Sequence, residues 1–155
     1  MPGMDSNISA ALDNELFCLL DATFARFMGR PLAPANTDGA AWLYHDAPFA
    51  VLAHDTRADP CFVYANETAQ RCFEYSWNEL VGMPSHLSAE LPARAERQRL
   101  LDTVTENGFA TDYRGIRIAK SGRRFWILDG TVWQLHDERG IYRGQAAMFT
   151  KWQDL

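Results

Sequence analysis

Residues 59–88, DPCFVYANETAQRCFEYSWNELVGMPSHLS, decide the fold of this chain. An apolar run over residues 61–64 predicts a short β-strand, and the Asn66 that follows it can cap a helix through its side-chain oxygen. Ser76 begins a second short helix, which ends at Gly82. The stretch therefore predicts one strand that leads into two short helices.

The remainder of the chain supplies the other strands of a sheet. Residues 88–107 predict a long helix, with Ser88 as its cap and Gly108 as its stop. The last third is rich in β-branched and aromatic residues, and turns at residues 120–122 and 136–140 divide it into hairpins. The five predicted strands cover residues 49–55, 61–64, 113–119, 123–135 and 141–152.

The N-terminal part predicts an amphipathic helix over residues 8–28, followed by a polar linker over residues 30–39. Residues 5–7 offer caps for the helix, and Gly29 with Pro31 ends it. An exposed stripe of large apolar side chains would be costly, so we expect it to be buried in a dimer or against the sheet. The stripe consists of Leu12, Leu16, Leu20, Phe24 and Phe27, and Leu19 also recurs at the helical spacing.

Two strands, a helical middle and three strands joined by hairpins are typical of an α+β fold with an antiparallel sheet. This order resembles a PAS domain, a sensory and interaction module. The resemblance implies a five-stranded sheet with strand order 2-1-5-4-3, helices on one face and the amphipathic helix added at the N-terminus.

Two segments narrow the resemblance to one family. Residues 63–90 (VYANETAQRCFEYSWNELVGMPSHLSAE) and residues 116–149 (IRIAKSGRRFWILDGTVWQLHDERGIYRGQAAMF) are similar in order and spacing to the MEKHLA family, a PAS-like family. We therefore expect an N-terminal helix and linker over residues 1–41, a PAS-like MEKHLA domain over residues 42–152, and a tail over residues 153–155.

Composition excludes several classes of function. A net charge of −5 argues against a nucleic-acid-binding surface. The three cysteines lack metal-ligand spacing and cannot all pair, which suits a reducing compartment. The start of the chain lacks the pattern of a signal peptide, and no apolar run is long enough to span a membrane. We expect a cytoplasmic protein that binds no nucleic acid, membrane or metal.

The helical middle also resembles the LOV domains, which are flavin-binding light sensors. Ser85 stands where their reactive cysteine lies, and a hydroxyl is far less acidic than a thiol. By the same matching, Arg117 and Ile127 replace two asparagines that hold the flavin ring, and Ala146 replaces a glutamine. We expect no flavin. His86 could face the cavity, but a lone histidine is more often structural than a haem ligand, so we expect no cofactor.

The orientation of Arg117 has two interpretations. The LOV matching turns it toward the cavity, where its guanidinium could bind a carboxylate ligand or pair with Asp129. The alternative, which we prefer, turns Ile116 and Ile118 inward and leaves Arg117 in solvent. The residues that the first interpretation predicts to line a ligand pocket are Phe73, His86, Leu87, Arg117, Ile127, Asp129, Ala146 and Met148.

No motif in the sequence assembles a nucleophile, a base and an oxyanion site. We therefore predict a non-catalytic sensory or interaction module that binds a small apolar or carboxylate ligand and signals through a separate protein partner. The helix over residues 8–28 and the sheet face would form a homodimer. The first alternative is a pure interaction module whose core is filled by its own side chains, and the second is a small cavity enzyme.

Overall fold

The computed structural model describes residues 10–89 and 91–155. Within them the strands form one antiparallel sheet with the order β2-β1-β5-β4-β3, and a sixth strand pairs with β4. The predicted α+β class and strand order are confirmed. The strands are β1 (Ala50–His54), β2 (Phe62–Ala65), β3 (Phe109–Ile118), β4 (Arg124–His136), β5 (Tyr142–Phe149) and β6 (Lys151–Asp154).

The helices lie at the start and in the middle of the chain. A π-helical turn (Trp42–Asp46) directly follows α2, and a 3-10 turn (Ser85–Ser88) precedes α5. The helices are α1 (Asn14–Met28), α2 (Gly39–Ala41), α3 (Glu67–Phe73), α4 (Trp77–Leu80) and α5 (Leu91–Asn107).

The sheet is covered on both faces. On one face α1 packs over a cluster that includes Leu20, Phe24, Trp133 and Leu135. On the other face the middle helices enclose a second cluster, which α3 joins through Phe73. Strand residues alternate between the two faces, so neighbours along β4 and β5 belong to different cores.

The N-terminal helix is shorter than predicted. Asp13 has extended backbone angles (φ −61°, ψ 119°), and its side chain accepts a hydrogen bond from the Glu15 amide at 2.8 Å, so α1 begins at Asn14. Residues 1–9, including the predicted caps at 5–7, lie outside the described residues. The predicted end is confirmed: Gly29 has φ +74°, and its amide donates to the Ala25 carbonyl at 2.8 Å.

The buried stripe of α1 is confirmed at its centre. Leu20 and Phe24 are fully buried, whereas Leu12, Leu16 and Phe27 are partly buried against the same cluster. The Phe24 ring packs edge-on against the Trp133 ring, with centroids 5.0 Å apart. Burial of each such side chain contributes about 1.5–3 kcal/mol, which fixes the helix on its own sheet.

Two predicted boundaries in the second half are wrong. Ser88 does not cap α5, because it lies in the 3-10 turn and its hydroxyl donates to the Ser85 carbonyl at 2.7 Å. The final strand is not continuous over residues 141–152. It is interrupted at Thr150, opposite Asp129, whose φ is +52°, although the pairing register with β4 is the same on both sides.

The C-terminal residues belong to the sheet. Asp154 is the register partner of Phe125 in β4, and the Leu155 amide donates to the Arg124 carbonyl at 3.1 Å. Residues 153–155, which the sequence places in a tail, therefore continue the strand pairing. The long strand β4 supports β5 along its second half and β6 along its first half.

Candidate functional site

The middle helices are positioned by the buried side chain of Asn66. Its Oδ1 accepts hydrogen bonds from the Val51 and Ala69 amides, both at 3.0 Å, so it caps α3 and holds β1. Its Nδ2 donates to the Leu43 carbonyl at 3.0 Å and to the Phe49 carbonyl at 2.9 Å. One side chain thereby fixes α3 over the sheet, and Phe73 at the end of α3 reaches the second core.

A cavity of about 70 Å³ lies between the sheet and the middle helices. Its apolar wall comes from strands, from α3 and from the middle of α5, and polar side chains interrupt it. The polar members among the described residues are His54, Ser85, Ser88, Tyr113, Arg117, Thr131 and Gln145.

Five of the eight predicted pocket residues line this cavity, namely Phe73, Arg117, Ile127, Ala146 and Met148. Two of them, Ala146 and Met148, pack their side chains into the cluster beneath α1, on the opposite face of the sheet. Replacement of a flavin-binding glutamine by Ala146 is therefore a weaker argument against flavin than the sequence indicated.

Three predicted pocket residues lie outside the cavity wall. The 3-10 turn has three residues per turn, so Ser85 and Ser88 share its inner face, whereas Leu87 is 46% exposed. His86 points outward, with its Nε2 at 3.4 Å from an Asp59 carboxylate oxygen. Asp129 lies in the bend of β4, where its carboxylate is exposed at 3.7 Å from the Lys151 ammonium, so it is not the partner of Arg117.

Arg117 faces the cavity, so the preferred interpretation of the sequence is wrong. Its side chain is 7% exposed, whereas Ile116 and Ile118 are half-buried on the other face. The guanidinium donates to the Ile116 carbonyl at 2.9 Å and lies 5.3 Å from the centre of the Tyr113 ring. These contacts offset part of the cost of burying a charge.

Sequence reasoning missed Gln145, which lines the cavity and is 6% exposed. It is the direct register partner of His54 on β1. The preceding Gly144 has φ +134°, and a Cβ there would lie 2.0 Å from the His54 carbonyl oxygen, so only glycine allows this approach of the two strands. Strict alternation along β5 would have predicted Gln145, because residues 145, 147 and 149 share one face.

Charged groups outside the cavity tie the helices to the β3–β4 hairpin. Arg123 in the turn contacts the Glu74 carboxylate at 3.0 Å, the Asp154 carboxylate and the Cys72 carbonyl. Hydrogen bonds from Ser121 and Arg123 hold the pKa of Glu74 below its usual value. Burial raises the pKa of the Cys72 thiol to about 12, so this thiol is unreactive at neutral pH.

The described residues contain no group of three or more His, Cys, Asp or Glu side chains that could hold a metal ion. None of the helices over residues 10–89 and 91–155 is long and apolar enough to cross a membrane.

The PAS/LOV fold is an antiparallel sheet with this strand order, whose middle helices cover one face and leave a cavity against it. Solved structures of PAS and LOV domains have the same fold. The PAS domain of a protein from Colwellia psychrerythraea has a TM-score of 0.59 and 17% identity, with coverage of 74% of this chain and 92% of that chain. The light-state dimer of the fungal blue-light photoreceptor Vivid has a TM-score of 0.56 and 19% identity, with coverage of 82% and 90%.

An RNA-binding light-oxygen-voltage receptor is also similar, with a TM-score of 0.59, 20% identity and coverage of 72% of this chain and 31% of that chain. A search of curated proteins found no match. The profile of the MEKHLA domain matches residues 14–154, and the chain belongs to this family. The match includes α1, which the sequence analysis placed outside the PAS-like domain.

Proposed function

We propose that this protein is a non-catalytic sensory module that holds a small molecule in the cavity and passes the signal to a separate protein partner. The observation that carries this proposal is the arrangement of adjacent residues on β4. Val132 lines the cavity, whereas Trp133 lies beneath α1 and donates a hydrogen bond to the Thr23 hydroxyl at 2.9 Å. A ligand that shifts β4 would change the packing of α1.

The same proposal includes a homodimer that uses α1 and its neighbourhood. Because the sheet already covers Leu20 and Phe24, the contact would use the outer side of α1 and the β4–β5 hairpin. This hairpin carries Ile141 and Tyr142, which are 45% and 40% exposed. The fold is similar to that of Vivid, which forms a light-state dimer, and this similarity supports dimerisation. The thiols of Cys18, Cys61 and Cys72 are free, as expected in a reducing compartment such as the cytoplasm, where we place the protein.

A pure interaction module is the second candidate, and the size of the cavity favours it. A volume of about 70 Å³ is about half of the roughly 150 Å³ cavity that accepts benzene. Such a space is too small for the three fused rings of a flavin. In this alternative the core needs no ligand, and the surface around α1 alone transmits the interaction.

Native mass spectrometry of the protein purified from its own source tests the proposal, since it measures bound mass and oligomeric state together. We expect a dimer in which each subunit retains one small molecule. A dimer without added mass would favour the pure interaction module. A monomer without added mass would contradict both the ligand and the dimer. Turnover of the released molecule by the protein would contradict the non-catalytic assignment.

A further inference from the structure

The unpaired amide of Gln145 indicates which class of molecule the cavity accepts. We infer that the cavity binds a small neutral molecule with a hydrogen-bond donor beside an acceptor, as in a carboxamide, and that Gln145 recognises this polar edge. The inference rests on the proposed sensory function and gives its ligand a chemical class.

Gln145 is buried without a hydrogen-bond partner in the described part of the chain. The side chain is 6% exposed and lines the cavity, and its amide keeps some accessible surface but has no hydrogen bond to residues 10–89 or 91–155. Buried polar groups in folded proteins are nearly always hydrogen-bonded, because an unmade bond is costly. A molecule bound in the cavity would supply the missing partner.

The chemistry of the amide defines the complementary ligand. A glutamine side chain offers one acceptor oxygen and two donor hydrogens from one planar group. A carboxylate could satisfy the donors but not the oxygen, whereas a carboxamide satisfies both. Arg117, the group that would favour a carboxylate, already donates to the Ile116 carbonyl and lies over the Tyr113 ring. A neutral ligand also avoids the cost of burying a second charge.

The volume and the wall limit the rest of the ligand. Judged by the roughly 150 Å³ that accept the six carbons of benzene, a cavity of about 70 Å³ accommodates about three heavy atoms. Phe62, Phe73 and Phe149 form part of its apolar wall and would contact a methyl group. Acetamide, with four heavy atoms, is close to this size and combines a polar edge with a methyl group.

Titration of the full chain with acetamide, followed by two-dimensional NMR of side-chain amides, tests the inference. Acetate and 2-propanol serve as probes of similar size, one charged and one without the amide edge. Gln145→Leu removes the recognising group. Gln134→Leu is the matched control, because Gln134 is the register partner of Gln145 on β4, is half-buried and lies outside the cavity wall.

We expect acetamide to shift the Gln145 side-chain amide signal in a saturable way, with affinity at least about tenfold above that of acetate or 2-propanol. Gln145→Leu should abolish saturation in the backbone signals of β5, and Gln134→Leu should preserve it. A non-saturable response, equal responses to the three probes, or an unchanged response in Gln145→Leu would overturn the inference. Tighter binding of acetate would also overturn it, in favour of recognition by Arg117.

Failure of this inference is separable from failure of the proposed sensory function. A small molecule of another class, retained by the protein from its own source, would overturn recognition of a carboxamide and leave the sensory proposal in place. Protein that retains no molecule and does not respond to any of the three probes would overturn both.

Discussion

Asn66 illustrates how a single residue connects local sequence to the architecture. The sequence predicts its role as a helix cap, but the structure adds three contacts to backbone groups of Leu43, Phe49 and Val51. These groups lie 15 to 23 residues away along the chain. The side chain therefore satisfies four buried backbone groups. Because Asn66 is 0% exposed, water cannot reach these groups to take over its hydrogen bonds.

We predict that Asn66→Ala lowers the free energy of unfolding by about 3 kcal/mol, from loss of the cap and from the backbone groups left unpaired. Asn66→Asp should cost at least as much, because a carboxylate cannot donate to the Leu43 and Phe49 carbonyls. Urea denaturation measures both changes. Asn78→Ala, on an exposed position of α4, is the control. A loss for Asn66→Ala no larger than that of the control would contradict this role.

Glu79 makes the stability of the protein decrease with falling pH in the acidic range. A hydrogen bond from Lys120, with a further one from the Ser76 amide, lowers the pKa of Glu79 to about 2. Because the pKa of Glu79 is lower in the folded than in the unfolded protein, its ionised form stabilises the fold. This stabilisation is fully present at pH values above the unfolded pKa of about 4.3 and is lost as the pH falls toward 2. Because the pair is exposed, salt screens it.

We predict that Glu79→Gln reduces the decrease in melting temperature between pH 5 and pH 2 at low ionic strength. Glu106→Gln, on an exposed position of α5, should leave this decrease unchanged. Thermal unfolding monitored by circular dichroism at several pH values measures the effect. If the two variants have the same pH profile as the original protein, Glu79 does not contribute to acid sensitivity.

At the scale of elements, the contact between α1 and β4 links the two faces of the molecule. The Thr23 hydroxyl donates to the Leu19 carbonyl at 2.6 Å and accepts a hydrogen bond from the Trp133 indole at 2.9 Å. Trp133 and Thr23 are both buried, so no solvent substitutes for this bond. The helix is thereby connected to the strand that borders the cavity.

We predict that Thr23→Val destabilises the protein by about 1–3 kcal/mol, because the indole of Trp133 loses its buried acceptor. Thr23→Ser keeps the hydroxyl and should recover most of the loss. Urea denaturation, monitored by tryptophan fluorescence, compares the two variants. Equal stability of the valine and serine variants would show that the hydrogen bond does not hold α1 on the sheet.

The boundaries of elements were less predictable than their order. Turn residues with clear chemistry, such as Gly29 and Gly108, were identified correctly, since each has a positive φ that favours glycine. The break at Thr150 was missed because it depends on the bend at Asp129 in the neighbouring strand, 21 residues away. Side-chain periodicity reports the face of a strand but not the distortion of its partner.

At the scale of the whole molecule, the resemblance predicted where the cavity lies but only part of its wall. The alternation of β3 allowed two orientations of Arg117, and its apolar neighbours favoured the wrong one. That error has a physical cause: Ile116 and Ile118 are half-buried on the outer face, so this face also accommodates apolar side chains. Where both faces of a strand are at least half-buried, the rule that apolar residues point to one side is weaker.

The proposed homodimer gives a prediction for the whole molecule. Ile141 and Tyr142 lie in the β4–β5 hairpin and are among the large apolar residues with exposed side chains in the described part of the chain. Ile141→Glu together with Tyr142→Glu should convert the dimer to a monomer, because buried carboxylates at an interface are costly. The melting temperature of the monomer should stay close to that of the dimer at low concentration, since neither side chain is buried in the fold.

Sedimentation equilibrium of the full chain measures this change. Leu87→Glu is the matched control, because Leu87 is 46% exposed but lies in the 3-10 turn rather than in the β4–β5 hairpin. It should leave the dimer intact. If the double variant is still a dimer, the interface does not include the hairpin. A dimer that only Leu87→Glu disrupts would place the interface beside the middle helices, on the cavity side of the sheet.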